Sequence, residues 1–413
     1  MPEKQFNNQK WINVIALFFL LAVTWGITFN SGGMFTAPVQ KTLGVARSEI
    51  LMTFTYKGVA MVIGTILTGV LLKKFKVLNV MRVGGIVLFI NYILMSRITS
   101  LPQYFFVSSM HVLGTTMTGF IPSSLIIHQW FGKKSGAALG IAFMGSGFGG
   151  MFFNILGGSL IAGRDWRFAA LVIALIMLAV IVLSSFLLIR EAPKDYVPAG
   201  DELAEGEAPT EVTGIILNDA MKKPSFWMIT LSLFILSIAM NAIVANVSPA
   251  LVDLGYSISF ASTVTGLCFV GMSLGKAITG VSMDRFGVKF TSVAGTVGLA
   301  IGFAGLLFGR MPLGIIIIIA SFLFGTPMGS LGVPAFTSTL YGMKDYAGIQ
   351  SFLQTSFSLG SIAGPIIMSI LFARFGNYDA SWILFFSLTL LSALIMFFLL
   401  PAHKKVKVSG PPV

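Results

Sequence analysis

The sequence predicts an all-α membrane protein of twelve transmembrane helices arranged as two six-helix bundles. Two features of the composition indicate this class: 55% of the 413 residues are hydrophobic and only 10% are charged. A soluble domain carries about 25% charged residues. The third observation is an internal repeat that divides the helices into two sets of six. The chain is therefore expected to reside in a lipid bilayer.

Apolar runs of membrane-spanning length define the individual elements. A helix needs about 20 apolar residues to cross a hydrocarbon core of about 30 Å. Such runs occur twelve times and are numbered spans 1 to 12 in chain order. They cover 11–37, 49–72, 79–99, 103–129, 135–161, 167–190, 225–252, 259–283, 289–309, 313–340, 346–373 and 380–401. Because their number is even, both termini are expected on one side of the membrane.

Lys and Arg residues outside the spans are distributed unevenly between the two faces. The face that holds the termini receives eighteen of them, and the other face receives seven: Lys41, Arg47, Arg97, Arg164, Arg167, Arg310 and Arg374. Cytoplasmic loops carry the excess of Lys and Arg, so both termini are predicted in the cytoplasm, with the protein in a plasma membrane of the bacterial inner-membrane type. This topology and contact with anionic lipid explain the net charge of +12, so nucleic-acid binding is not predicted.

An internal repeat relates the two halves of the chain. Six identities recur at a constant offset of 211 residues: Pro38 and Pro249, Leu43 and Leu254, Gly44 and Gly255, Gly69 and Gly280, Phe75 and Phe286, and Gly149 and Gly360. Residues 1–190 are therefore predicted to form an N-terminal six-helix bundle and 224–413 a C-terminal one. The segment 191–223, rich in acidic residues and proline, is predicted to be a cytoplasmic linker.

Two cations lie inside predicted spans: Lys57 in span 2 and Lys276 in span 8. A lysine at the centre of a membrane helix costs about 2.5–3.5 kcal/mol on insertion scales, so each needs a physical reason. Lys276 precedes Asp284 by two helical turns, which places it about 12 Å from the cytoplasmic end of its helix. An ammonium at that depth can bind a substrate carboxylate. A lysine that pairs within the protein or extends to the membrane surface is the alternative for both residues.

The loops after spans 2 and 8 resemble a signature of the major facilitator superfamily. GVSMDRFG at 280–287 has an aspartate and an arginine four and five positions after its first glycine, whereas GVLLKKFK at 69–76 has a lysine in place of the aspartate. The resemblance implies the major facilitator fold and a conformational latch between the two halves. The lysine leaves open whether the first half has such a latch. The residues concerned are Gly280, Asp284, Arg285, Gly69 and Lys73.

Three further stretches are similar to the oxalate/formate antiporters and the related monocarboxylate transporters. They are HQWFGKKSGAALGIAFMGSGFGG at 128–150, FTAPVQKTLG at 35–44 and VANVSPALVDLG at 244–255. The resemblance implies transport of a small organic anion, most directly a monocarboxylate, by alternating access. Exchange for a counter-anion, symport with a proton and facilitative uniport all remain open. It also places Lys276 where those families carry a basic residue on helix 8, as the main carboxylate anchor.

Two positions depart from those families. Met272 stands where the monocarboxylate transporters have an aspartate used in proton coupling, and Phe357 stands where the oxalate exchanger has a second cation. Most positions of an aromatic cage are also replaced, which favours a monocarboxylate with a hydroxyl, a keto group or a longer chain over oxalate. The predicted substrate-binding residues are Lys276, Lys57, Asn30, Phe35, Phe120, Ser146, Asn246, Thr326 and Ser330.

Two other functions of a membrane carrier remain open: an exporter of a larger amphipathic or drug-like solute, and a transporter-like sensor. An enzyme is not predicted, because the sequence has no zinc-ligand cluster, Gly-rich phosphate loop or pair of buried carboxylates. No catalytic residue, metal or cofactor is therefore expected. His111 and His128, placed near the outer and inner ends of span 4, are expected in surface or capping roles.

Overall fold

The computed structural model describes residues 3–193, 196, 198 and 214–401. This part of the chain contains twelve helices that are long and apolar enough to cross a membrane, which confirms the predicted all-α class and the order of the spans. Their bounds are Phe6–Leu43, Arg47–Lys74, Val77–Met95, Leu101–Lys134, Gly136–Gly163, Trp166–Leu188, Pro224–Asp253, Ile258–Phe286, Val288–Leu307, Pro312–Tyr341, Tyr346–Phe375 and Asp379–Leu399. Spans 1 and 4 extend further than the sequence predicted.

Span 1 changes its winding in the middle of the membrane. It is α-helical over Glu3–Leu21, π-helical over Ala22–Ser31, tightens to a 3₁₀ turn over Gly32–Phe35 and ends as an α-helix over Thr36–Leu43. The π-helical part packs closely on span 5, because a side chain on Gly26 would lie 2.8 Å from the backbone of Gly150. A π-helix is rare and is found frequently at functional sites.

Three other spans also depart from a single α-helix. Span 4 is interrupted at Gly119, between Leu101–Thr118 and Phe120–Phe131. Span 10 is interrupted between Pro312–Phe324 and Met328–Tyr341. Span 6 is α-helical to Ile181 and ends with the π-helical Val182–Leu188.

The interiors of the helical bundles are apolar, and large apolar side chains also cover much of the outer surface. Leu17, Phe143 and Phe303 are fully buried, whereas Ile258 and Phe398 are 74% and 72% exposed. A soluble protein would expose such side chains to water at a large cost. A bilayer covers them instead, in agreement with a protein that spans the membrane.

The two halves meet along spans 5 and 8 and along spans 2 and 11. Glycine permits the close approach: a side chain on Gly280 would overlap the backbone of Gly136, and one on Gly69 would overlap Ser351. These contacts lie toward the face that holds the termini, called the inner face from here on. The halves also touch about midway along spans 2 and 11, where a side chain on Gly58 would lie 2.9 Å from Ile362 Cδ1. Polar contacts join them at the inner face, where Gly136 N and Ala137 N donate to Asp284 and Lys73 pairs with Asp345. The structure is therefore closed at the inner face.

Most of the predicted linker 191–223 lies outside the described residues. Its last part is described and contacts the base of the second half. Ile215 N donates to Tyr341 O at 3.0 Å, and a short helix, Leu217–Met221, precedes span 7. Leu217 N also donates to Asp345 Oδ2 at 3.0 Å, which fixes this segment next to the start of span 11.

Candidate functional site

Lys276 occupies the contact between spans 8 and 5 and is only 5% exposed. Its ammonium Nζ donates to Ser146 Oγ at 2.7 Å and to Phe143 O at 3.3 Å. Both acceptors belong to the first half, so this lysine of the second half crosses the boundary between them. Within the described part of the chain, no carboxylate forms a salt bridge with it. The ammonium is therefore hydrogen-bonded, but no opposite charge among the described residues neutralises it.

Span 1 reaches the same place through Ser146. Asn30 Nδ2 donates to Ser146 O at 2.8 Å, and Ser146 Oγ donates to Phe143 O at 2.8 Å. Because that bond uses the hydroxyl hydrogen, Ser146 presents only lone pairs to Lys276. Asn30 fits against span 5 because Gly150 has no side chain there. The structure thus brings three of the predicted residues together.

Aromatic rings cover Lys276 on the side of the first half. The ring centroid of Phe120 is 6.0 Å from Lys276 Nζ, and Phe143 and Trp25 lie 4.6 and 4.1 Å from Phe120 between ring centroids. A cation near an aromatic face gains about 0.5–2 kcal/mol. Trp25 Nε1 is buried and has no hydrogen-bond partner among the described residues. It is an N–H donor available next to Phe120.

Trp25 was not predicted from the sequence. An aromatic side chain in a span carries no sign of the direction in which it points, since both the lipid and the protein interior accept it. The relevant signal is Gly119, where span 4 is interrupted, because a side chain on this residue would overlap the indole of Trp25. That relation between spans 1 and 4 becomes visible only when both are folded.

Span 10 borders Lys276 on the side of the second half. Gly275 packs against the interruption of that span, where an added side chain would lie 2.8 Å from Pro327 Cγ. The predicted residues Thr326 and Ser330 are buried there and donate to carbonyls of their own span at 2.6 and 3.2 Å. Their hydroxyl oxygens keep lone pairs that can accept a hydrogen bond.

Lys57 and Phe35 lie apart from Lys276. Both line a cavity of about 20 Å³ that is enclosed by spans 1 to 4 of the first half. A water molecule needs at least about 10–15 Å³, so this cavity has room for water but not for a carboxylate with a carbon chain. Asn246 in span 7 donates to Ala242 O of its own helix at 2.9 Å, and no contact with Lys276 is described for it.

The two histidines of span 4 are buried, so the expected surface role is wrong for both. His111 and His128 are each 6% exposed. Span 4 begins at Leu101, which places His111 about 15 Å below the outer end of the helix. His111 lines the same cavity as Lys57, and His128 Nδ1 lies 2.9 Å from Ser135 Oγ.

Asp284 at the end of span 8 caps span 5 across the boundary between the halves. Its Oδ1 and Oδ2 accept hydrogen bonds from Gly136 N and Ala137 N at 2.8 and 2.7 Å. The first N–H groups of a helix have no partner within it and carry partial positive charge, so a carboxylate there is stabilising. Gly280 permits this approach. Arg285 instead places its guanidinium over the ring of the following residue.

The corresponding contact in the first half has its charges exchanged. Lys73 at the end of span 2 forms an ion pair with Asp345 at the start of span 11, with 3.0 Å between Nζ and Oδ2. The offset of 211 residues relates Lys73 to Asp284 and Asp345 to Lys134. The lysine that departs from the loop signature therefore has an acidic partner where the repeat would place a basic residue.

A profile of the Major Facilitator Superfamily matches residues 17–340 and 229–412. The chain belongs to this superfamily. It therefore has the multi-pass membrane fold that the loop signature predicted. The match over both parts of the chain agrees with the twelve helices and with their order.

Curated relatives of this superfamily member are distant. An uncharacterized transporter, ESBP6, from Saccharomyces cerevisiae is 22% identical over 70% of this chain and 43% of its own length. The oxalate:formate antiporter of Oxalobacter formigenes is 22% identical over 97% of this chain and 95% of its own length. Monocarboxylate transporter 13 of Bos taurus is 22% identical over 90% and 85%, and the multi-drug resistance efflux pump PmrA of Streptococcus pneumoniae is 25% identical over 87% and 90%.

Solved structures of the superfamily share the fold. The fucose:proton symporter FucP of E. coli superposes with a TM-score of 0.74 over 95% of this chain and 100% of that chain, at 14% identity. The xylose symporter XylE superposes with a TM-score of 0.70 at the same identity. These likenesses confirm the architecture of this facilitator.

Proposed function

We propose that this facilitator carries a small organic anion, most directly a monocarboxylate, by alternating access, with Lys276 as its carboxylate anchor. The observation that carries the proposal is the environment of the lysine. It is buried at the boundary between the two halves, and its described hydrogen-bond acceptors are one hydroxyl and one carbonyl. A buried ammonium without a neutralising charge is costly, and an incoming carboxylate removes that cost.

Electrostatics favour the exchange of partners at Lys276. Unit charges of opposite sign 4 Å apart attract by about 4 kcal/mol at an effective dielectric constant of 20. A hydrogen bond to the neutral Ser146 hydroxyl contributes about 0.5–1.5 kcal/mol. We therefore expect a carboxylate to displace the Ser146 hydroxyl from the ammonium.

The same exchange links binding to the movement of the two halves. In the empty carrier the bond from Lys276 to Ser146 helps hold span 8 against span 5 at the closed inner face. When a carboxylate takes the ammonium, that bond is lost, and the halves are held at this depth through the substrate instead. Because the bound anion replaces a contact between the halves, its binding is coupled to their movement.

A single negative charge suits this site better than two. Phe357 and Phe120 supply rings and not cations, and Lys57 lies in the separate cavity of the first half. Asn30 adds polarity beside the anchor through its bond to Ser146 O. Thr326 and Ser330 of the neighbouring span 10 are proposed to add more, which suits a monocarboxylate that bears a hydroxyl or keto group. A dianion would leave one charge without a partner.

The topology completes the proposal. The excess of Lys and Arg assigns the inner face and both termini to the cytoplasm, in a bacterial type of plasma membrane. Residues 1–190 and 224–413 are proposed as the two moving bundles and 191–223 as the cytoplasmic linker between them. No catalytic residue, metal or cofactor is assigned.

A drug exporter remains the second candidate, because the relatives include a multi-drug resistance efflux pump. Exporters of cationic drugs require a negative group in the site, whereas the charge described here is positive. A transporter-like sensor is distinguished by the absence of flux. Purified protein should be screened by thermal unfolding against formate, lactate, pyruvate, oxalate and longer carboxylates, with a hydrophobic cation as the control.

A bound ligand raises thermal stability according to its affinity and concentration. We expect monocarboxylates to stabilise the protein and to enter proteoliposomes, with dicarboxylates and the cation weaker in both assays. If only the hydrophobic cation raised the thermal stability, the carboxylate proposal would be wrong and export of a drug-like cation would be favoured. Stabilisation by a carboxylate without flux would indicate a sensor.

A further inference from the structure

The cavity inside the first half holds a polar cluster that the proposed anion site does not use. Its polar lining includes Thr28 from span 1, Lys57 from span 2, Asn91 and Tyr92 from span 3, and Tyr104 and His111 from span 4. The titratable groups among these are a lysine, a histidine and two tyrosines. Among the described residues that line the cavity there is no aspartate or glutamate.

The hydrogen bonds of His111 fix which of its ring nitrogens carries hydrogen in the neutral state. Asn91 Nδ2 donates to Val107 O at 2.7 Å, which directs Asn91 Oδ1 toward His111. That oxygen lies 3.3 Å from His111 Nδ1 and can only accept. Nδ1 therefore carries the hydrogen, and Nε2 of the neutral ring is bare.

The cluster on the Nε2 side then has too few hydrogens for its short contacts. Thr28 Oγ1 lies 2.6 Å from His111 Nε2, 2.6 Å from Thr24 O and 2.7 Å from Thr115 Oγ1. Thr115 Oγ1 also lies 2.9 Å from the carbonyl of His111. Four contacts share two hydroxyl hydrogens. A proton on Nε2 supplies a third hydrogen, donated to Thr28 Oγ1, so the geometry accommodates a histidinium.

Lys57 is the charged neighbour that opposes protonation of His111 in this cavity. Its Nζ lies against span 1 at Gly32, and no hydrogen bond or ion pair is described for it in the resolved ranges. Two cations in one small cavity repel each other, so protonation of His111 is opposed while the carrier holds no anion. A carboxylate bound at Lys276 adds a negative charge at the boundary with the first half and so offsets part of that repulsion. Proton and anion are therefore favoured together.

Span 1 connects this cavity to the site of Lys276. Thr28 and Asn30 belong to the same π-helical segment, Ala22–Ser31. Thr28 contacts His111, while Asn30 donates to the carbonyl of Ser146, whose hydroxyl binds Lys276. Protonation of His111 and binding of an anion at Lys276 therefore both alter contacts of the same short π-helical segment. The segment is the physical link between the two sites.

We propose that His111 is the proton-binding group of this carrier and that one proton is bound there with each anion. The proposal rests on the proposed function, because the anion is the carboxylate held at Lys276. The proton comes from water, forms the Nε2–H bond and is released to water on the other side of the membrane. Met272, which stands where relatives have an aspartate, is not needed for this coupling.

The test reads the ring nitrogens of His111 by NMR in protein labelled with ¹⁵N-histidine and placed in nanodiscs. Signals are assigned with the His111→Gln and His128→Gln variants. The pH should be lowered stepwise from about 8 to about 4, because burial and the charge of Lys57 oppose protonation, and Nε2 of His111 should gain a proton within that range. Saturating lactate should shift that midpoint to higher pH in the wild type and leave the His128 signal unchanged. A His111 Nε2 that stays unprotonated throughout would overturn the proposal.

A transport assay is the second test, and it distinguishes the proton site at His111 from the carboxylate site at Lys276. Proteoliposomes with a trapped pH dye should acidify when lactate is added outside. His111→Gln should keep lactate exchange within about 3-fold and lose the acidification, while His128→Gln should keep both. Lactate exchange in His111→Gln with undiminished acidification would refute the proton site and leave the anion site intact. If no carboxylate is bound by the wild type, the proposed function fails, and the titration of Nε2 alone still decides the proton site.

Discussion

The two halves of this carrier follow one repeat but place their charges differently. The second half presents Lys276 at the boundary, bonded to the first half, whereas the first half keeps Lys57 inside its own small cavity. At the inner face the second half contributes the acid Asp284, and the first half contributes the base Lys73 at the equivalent position.

The two halves share their helix packing but not the positions of their charges. Glycines at equivalent positions, Gly69 and Gly280, allow the same close helix contacts in both halves. The charges beside them follow no such symmetry. Under the proposed function, this asymmetry gives one anion anchor and one cation-containing cavity, where a symmetric pair of halves would give two equal sites. The variants below test that asymmetry, in order of decreasing expected effect.

Lys276→Gln should have the largest effect. Removing one member of a buried charge pair costs about 2–5 kcal/mol, which weakens monocarboxylate binding by about 30-fold or more. The ligand-free variant should unfold at the same temperature as the wild type or a higher one, because a buried uncompensated charge has been removed. Lys57→Gln is the matched control and should change the Kd by less than about 3-fold. If both variants lost the same amount of monocarboxylate affinity, the two lysines would not have different roles in binding.

Asp284→Asn should loosen the inner face. The amide keeps one acceptor oxygen, so one N–H group at the start of span 5 loses its partner, at a cost of about 1–3 kcal/mol. The open-inward population should rise by about 5- to 150-fold. Spin labels at Phe75 and Phe286, which are exposed beside the inner loops of the two halves, would report the change as a longer distance. An unchanged distance distribution would show that this cap does not hold the halves together.

Ser146→Ala should affect binding in the opposite direction from the lysine variant. The ammonium of Lys276 loses its hydroxyl acceptor in the empty carrier, so an incoming carboxylate has less to displace. We expect the Kd to fall by about 2- to 10-fold, corresponding to one hydrogen bond of about 0.5–1.5 kcal/mol. Titration calorimetry measures the change. A Kd that rises by a similar factor would mean that Ser146 binds the substrate and is not displaced by it.

Exchanging the charges of Lys73 and Asp345 should have the smallest effect. Lys73 is 44% exposed in its side chain, and exposed ion pairs contribute about 0–1 kcal/mol. Lys73→Asp alone should raise the open-inward population by up to about 5-fold. The double variant Lys73→Asp with Asp345→Lys should regain part of this loss, although the bond from Leu217 N to Asp345 is also removed. A double variant that is more open than the single one would argue against the ion pair.

The sequence predicted the spans and drew attention to Lys276 for simple reasons. Apolar length determines where helices cross, and a lysine without an acid at its depth stands out in any count of charges. The positions of Lys57 and His111 could not be predicted in the same way. Depth along a helix says how far a residue lies from the surface, but not which neighbouring helix it faces.

The other features that the sequence did not predict depend on contacts between segments that are distant in the chain. The partner of Lys73 lies on span 11, so the loop alone gave no sign of an ion pair. The π-helical segment of span 1 has no signature in its composition, and its close packing on Gly149 and Gly150 of span 5 is visible only in the folded bundle. The environment of Trp25 depends on that packing as well.

The most direct test of the central claim compares an acid with its neutral amide. The Kd of lactate and of lactamide should be measured for the wild type and for Lys276→Gln by titration calorimetry. If Lys276 binds the carboxylate, the wild type prefers lactate by about 30-fold or more and the variant binds both compounds equally weakly. A preference for lactate that persists in Lys276→Gln would show that another group recognises the charge and would contradict the account.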